Sequence, residues 1–174
     1  MTDLPPPPPP APTQQTSTIL AEPGHHILLE HENLDRGGPI LARSTATAGF
    51  LSAPIQLHLD HCSGTSSATE PIIYVSNAQA DIRFTNCRLE RPSAHLVCAQ
   101  EAEWGMPGYN SASIHLRADH STLRGDIYVG KRCRVILTLG HASAWYGRFT
   151  GPGQATIYQH SQAVWQPSTT PTPK

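Results

Sequence analysis

Leu123-Arg124-Gly125-Asp126-Ile127 and Trp145-Tyr146-Gly147-Arg148-Phe149 are two copies of one unit: Leu123, Gly125 and Ile127 recur 22 positions on as Trp145, Gly147 and Phe149. Each copy follows a short apolar-alternating segment, Ser113-Ile114-His115-Leu116 in one case and Val135-Ile136-Leu137-Thr138-Leu139 in the other. A third, truncated copy runs from Ile157 to Trp165. Short strands recurring at a period near 20 residues imply stacked repeats, each burying its apolar face only against its neighbours.

Working outward from that stretch, the same signal appears upstream. Ile27 and Leu29 alternate with Leu28 and Glu30, followed by Leu34, the turn residues Asp35-Arg36-Gly37-Gly38-Pro39, and Ile40. Ile55-Gln56-Leu57-His58-Leu59 leads through Ser63–Thr69 to Ile72-Ile73-Tyr74-Val75, and Ile82-Arg83-Phe84 leads to Leu89 and Leu96-Val97. No 3.6-residue apolar stripe competes with these segments, so the expected class is all-β. An antiparallel sandwich also uses short strands, but it has no reason to repeat strand, turn, large apolar residue and glycine at near-constant spacing. The reading is a parallel β-helix, a solenoid of about six coils over residues 18–166. Gln100–Asn110, with Gly105, Pro107 and Gly108, is expected to leave the coil as a loop.

Both ends read differently. Residues 1–17 hold an unbroken proline run, Pro5–Pro10, and 167–174 are rich in Pro, Ser and Thr, so both are expected to be disordered linkers. Charged residues make up only 14% and the net charge is −1, giving no electrostatic footprint for nucleic acid. No window reaches the roughly 20 apolar residues of a membrane-spanning helix, and the N-terminal residues lack the form of a secretory leader. A piece of a longer protein placed outside the cell or on its surface is expected, with a cytoplasmic protein as the alternative. The four cysteines, Cys62, Cys87, Cys98 and Cys133, contain no C-x-x-C pair. They read as small buried hydrophobes, and disulfides between adjacent coils leave three pairings open.

The run from Pro71 to Cys87, the loop with Trp104-Gly105 and Gly108-Tyr109-Asn110, and the coil Leu123–Ile127 resemble units of right-handed parallel β-helix proteins of bacterial surfaces. Ser143-Ala144-Trp145 and Val164-Trp165 are similar to coils near the end of autotransporter-type passenger domains. What the resemblance implies is a right-handed, pectin-lyase-like β-helix in an adhesin-like or structural surface protein without catalytic activity. The pectate lyases in that class offer an enzymatic alternative. Leu59-Asp60-His61-Cys62 is similar to their Ile-Asp-His segment, and Arg91-Pro92 partly echoes their Arg-x-Pro, so Asp60, His61 and Arg91 are the candidate catalytic set. The plainer reading of Asp60 is a solvated carboxylate beside a turn. A third alternative is a cytosolic scaffold that assembles through its ends.

No metal site or cofactor is expected, although the chain has ten histidines. His25 and His26 point to opposite faces of a strand, and His58-x-x-His61 converges only if the chain turns between them. Arg124-Gly125-Asp126 spells an integrin-type tripeptide, but the core positions Leu123 and Ile127 flank it. The ligand-binding residues expected are Trp104, Tyr109, Glu101 and Glu103 on the excursion loop, an aromatic face beside carboxylates suited to a glycan or host-surface ligand. Further copies of the chain, joined through the end coils, are the other expected partner.

Overall fold

The computed structural model describes residues 19–36, 40–44, 49, 52–65, 70–102, 104–106 and 108–167, with the backbone alone at 92–94. The proline-rich arm 1–17 and the tail beyond Pro167 lie outside the described residues. In chain order the strands are β1 (Ile19–Ala21), β2 (His26–Glu30), β3 (Ile40–Arg43), β4 (Ile55–Asp60), β5 (Ser63–Gly64), β6 (Ile73–Ser76), β7 (Ala78–Thr85) and β8 (Arg88–Gln100). Then come β9 (Ala112–Asp119), β10 (Thr122–Val129), β11 (Arg134–Leu139), β12 (Ala144–Tyr146), β13 (Phe149–Thr150), β14 (Gln154–Gln159) and β15 (Val164–Gln166). One 3-10 turn, Leu34–Arg36, is the only helical element assigned a span among the described residues.

All pairing is parallel, and each sheet is laid down in chain order. The six-stranded sheet runs β2-β4-β7-β9-β11-β14. The nine-stranded sheet runs β1-β3-β6-β8-β10-β12-β15, with β5 on β8 and β13 on β10. Because β8 and β10 bend, with register shifts on either side of Asp126, this second sheet divides into two strips. One stacks β5, Arg88–Glu90 of β8, Thr122–Arg124 of β10, β12 and β15. The other stacks β1, β3, β6, Val97–Ala99 of β8, Ile127–Val129 of β10, and β13. The chain visits the six-stranded sheet, the first strip and the second strip in turn, then lays its next strand beside the last. The result is all-β with two parallel sheets.

Strand periodicity places alternate side chains inside. In the six-stranded sheet Ile27, Leu57, Ile82, Leu116, Leu137 and Ile157 form one column, and the middle four are at most 2% exposed. In the second strip the column is Ile19, Ile40, Ile73, Val97, Ile127 and Phe149. The 22-residue repeat is the register itself: Leu123 pairs with Trp145 and Ile127 with Phe149. Its glycines sit at the bend between strips. Gly125 has φ +136°, and its carbonyl oxygen accepts the Trp145 indole N–H at 2.9 Å. Trp165 repeats the bond one strand later, donating to the Gly147 carbonyl at 3.1 Å, with the two indoles stacked at 5.8 Å. A Cβ on Gly147 would run into the Gly125 carbonyl and lie 2.7 Å from Trp145 Nε1.

The turn leaving the six-stranded sheet has a rule of its own. His31, His61, Asn86 and His120 occupy the left-handed region at φ 50–55°. After the last three of these, and after Ala142 at φ 54°, comes a small buried side chain. Cys62 Sγ donates to the Leu29 carbonyl at 3.4 Å, Cys87 Sγ to that of Leu59 at 3.2 Å, and Ser143 Oγ to that of Ala118 at 2.9 Å. Ser121 Oγ also accepts the Cys87 backbone N–H at 3.1 Å. Thiols and hydroxyls thus share one position, and all four cysteines are free and buried.

Burial pushes the Cys87 thiol up to about 11 from an ordinary value of 9.0, and Cys133 likewise to about 11. A raised folded-state pKa gives stability that is complete below the unfolded value and is lost as pH rises through the folded one. Denaturant unfolding of the protein should therefore show stability declining between pH 9 and about 11. Cys87→Ser should fold and decline less over that window, whereas identical pH profiles would contradict this account. Gly147→Ala should cost on the order of 1–3 kcal/mol with a red-shifted Trp145 emission, and unchanged unfolding would remove the glycine from its assigned role.

Candidate functional site

Outward-facing side chains of the six-stranded sheet line a shallow depression of about 510 Å³. Two columns build it. His26, Gln56, Asp81 and His115 form one, and His58, Arg83 and Arg117 the other, whose column continues beyond the depression to Leu28 and Thr138. They point outward because their strand neighbours Leu57, Ile82 and Leu116 point inward. Neighbouring strands lie roughly 4.8 Å apart, so Arg83 and Arg117 stand side by side as like charges. Arg83 Nη2 lies 3.8 Å from Asp119 Oδ2 while remaining half exposed, and Arg117 makes no ion pair among the described residues. Threonines fix the imidazoles: His58 Nε2 is 3.0 Å from Thr85 Oγ1 and His115 Nε2 is 3.3 Å from Thr138 Oγ1. Among the described residues Asp81 is the one carboxylate lining the depression.

Chemically this surface offers two planar guanidinium forks, which bind carboxylate, sulfate or phosphate oxygens in bidentate fashion. The flanking imidazoles and the Gln56 amide can hydrogen-bond to hydroxyls. The depression spans four successive strands, which suits an extended ligand lying across them.

The residues expected from sequence are distributed elsewhere. Asp60 and His61 are together, with Oδ1 and Nδ1 2.8 Å apart at the end of β4, and the His61 ring stacks on His31 at 4.9 Å. Arg91 is held elsewhere. It is buried on Asp35 Oδ1 at 3.0 Å and donates to the Glu70 carbonyl at 3.4 Å, while Asp35 Oδ2 accepts the Thr65 N–H at 3.0 Å. The chain does turn between His58 and His61, but it sends them apart: His58 goes to the outer face and His61 to the corner. Among the described residues no three His, Cys, Asp or Glu side chains gather to hold a metal ion.

The excursion between β8 and β9 is closed at its neck, where Ala102 N donates to the Asn110 carbonyl at 3.0 Å and Asn110 Nδ2 to that of Ala102 at 2.7 Å. Trp104 is 38% exposed; its indole donates to the Ser44 carbonyl at 2.9 Å, and the Arg43 guanidinium lies 5.5 Å from the ring centre. It therefore anchors the loop with one edge and leaves the other in solvent. Tyr109 is 45% exposed, Glu101 is half-buried with Oε1 unpartnered among the described residues, and Glu103 lies outside them. Arg124-Gly125-Asp126 is tied into β10: Arg124 lies 4.2 Å from the Tyr146 ring centre and 3.4 Å from Glu90, and Asp126 accepts the Arg148 N–H at 3.0 Å.

The sequence reading missed the Arg83–Arg117 column. Its signal was present in Ile82-Arg83-Phe84 and Leu116-Arg117-Ala118, outward positions between buried ones, but their adjacency depends on register. Compared with protein-family models, curated proteins and solved structures, the chain matches none of them. No helix among the described residues is long and apolar enough to cross a membrane.

Trp104 has a defined stability role to test. Trp104→Phe keeps the ring and removes the bond to Ser44, so it should cost about 1 kcal/mol. Trp104→Ala should cost roughly 1–2 kcal/mol, less than the ~3–5 of a fully buried aromatic. Urea denaturation measures both, and a loss in the buried range would mean that the loop is closed over the ring.

Proposed function

We propose that the chain is a right-handed parallel β-helix of about six coils, serving outside the cell or on its surface as a non-enzymatic, adhesin-like module. Its outward six-stranded face takes an extended glycan bearing carboxylate or sulfate groups. The hand follows from the general rule that parallel crossovers are right-handed and from the resemblance to pectin-lyase-like surface proteins. The observation that carries the ligand is the Arg83–Arg117 column in the depression. Adjacent like charges are unfavourable by themselves, and an anionic group bridging them removes that repulsion. His58, His115 and Gln56 supply hydroxyl contacts around the anion. Trp104 and Tyr109 stand on a separate loop.

A glycan array probed with the full chain tests the reading. Uronate- or sulfate-bearing glycans should bind, and Arg83→Ser with Arg117→Ser should weaken binding roughly ten-fold or more without lowering the melting temperature. Binding confined to neutral glycans, or insensitive to both arginines, would refute the site. Polygalacturonate with calcium should give no rise in ultraviolet absorbance. A rise abolished by Asp60→Asn would establish the lyase alternative.

A further inference from the structure

The two ends of the stack are cut at matching phases. The partly buried hydrophobics against the main core are Ile19, Ile27, Leu29, Leu34, Phe149, Ile157 and Trp165, all in the first or last strands of their columns except Leu34, which lies on the 3-10 turn at the leading end, whereas interior members are at most 3% exposed. Among the described residues β1 and β2 have a neighbour on one edge only, as do β13, β14 and β15. Repeat stacks that remain single normally close with polar terminal repeats, and among the described residues neither end has one.

We infer that the partner of each end is the opposite end of a second copy of this chain, joined head to tail. At the leading end, β1 of the second strip stands ahead of β2. At the trailing end, β14 and β15 add a strand to the six-stranded sheet and to the first strip, and the second strip stops at β13. A second copy stacked in the internal register would lay its β1 on β13, its β2 on β14 and its Leu34 on Trp165. The columns then continue with like on like: Ile157 meets Ile27 and Phe149 meets Ile19. Outside, Tyr158 meets Leu28, the two being 60% and 52% exposed, and His160 meets Glu30, a cation-capable group against a carboxylate. Heterologous stacking of this kind does not close on itself, so it propagates as a filament.

Edge hydrogen bonding supplies a selective block. His31 N donates to Asp60 O and Gln56 N to His25 O, so in β2 the odd-numbered residues face β4, and the Leu28 N–H faces the free edge. Gln154 N donates to Cys133 O and His160 N to Leu139 O, so the Ala155 N–H likewise faces outward from β14. Leu28→Pro and Ala155→Pro each remove one outward donor and leave the internal ladder intact.

Sedimentation of the full chain should show mass rising with concentration, with filaments in negative stain. Each variant alone should be monomeric with a wild-type circular dichroism spectrum, and an equimolar mixture should form a 1:1 dimer through the one intact pair of ends. Should either proline variant fail to fold, Leu28→Lys and Tyr158→Lys change only exposed side chains and should give the same pattern. A wild-type protein that stays monomeric at every concentration would overturn the inference. So would variants that each dimerise alone and form nothing new on mixing, because that is the behaviour of like ends pairing.

Discussion

Everything in this molecule depends on register between consecutive parallel strands. A core position is buried only when the equivalent residue one strand away lies directly over it, as Leu116 does between Ile82 and Leu137. A one-residue slip would turn every inward side chain of that strand to solvent. The devices around the stack hold this register. Left-handed residues make the same corner at successive levels, small thiols and hydroxyls return hydrogen bonds from that corner, and indole N–H groups reach glycine carbonyls at the opposite bend. Each acts between neighbouring levels, so the register is enforced locally and repeated.

The all-β class and the stacking of Leu123 under Trp145 were legible in the sequence, because a repeat at fixed spacing is itself a statement of register. The loop at 100–110 was legible from its glycines and proline, and it falls between β8 and β9. The role of the cysteines was legible only in part. Burial could be expected, but the equivalence of Cys62 and Cys87 to Ser121 and Ser143 requires knowing that these four residues follow the same corner. The merging of two strips through β8 and β10 was not legible, since Gly125 marks a bend but not that strand pairing continues beyond it.

Candidate sites were harder to read for a related reason. Asp60, His61 and Arg91 were chosen by local pattern, and local pattern does not report that Arg91 is buried on Asp35, 56 residues away. The basic column was overlooked because Arg83 and Arg117 are 34 residues apart and meet only through the pairing of β7 with β9. In a stacked fold, surface chemistry is assembled across levels rather than along the chain. Histidines show the same effect: His120, His141 and His160 form ring contacts at 5.4 and 5.5 Å along one corner, although no two are close in sequence.

The central claim, that levels stack in chain order, can be measured with pairs of spin labels on outward positions of the six-stranded sheet. Leu28 and Arg83 are two strands apart, and Leu28 and Tyr158 five. At roughly 4.8 Å per strand, these correspond to separations of about 10 and about 24 Å. Labelled chains diluted into excess unlabelled protein isolate the distances within one molecule. The account predicts the longer distance for Leu28 with Tyr158, at more than twice that for Leu28 with Arg83. Equal distances, or Tyr158 the nearer of the two, would contradict it.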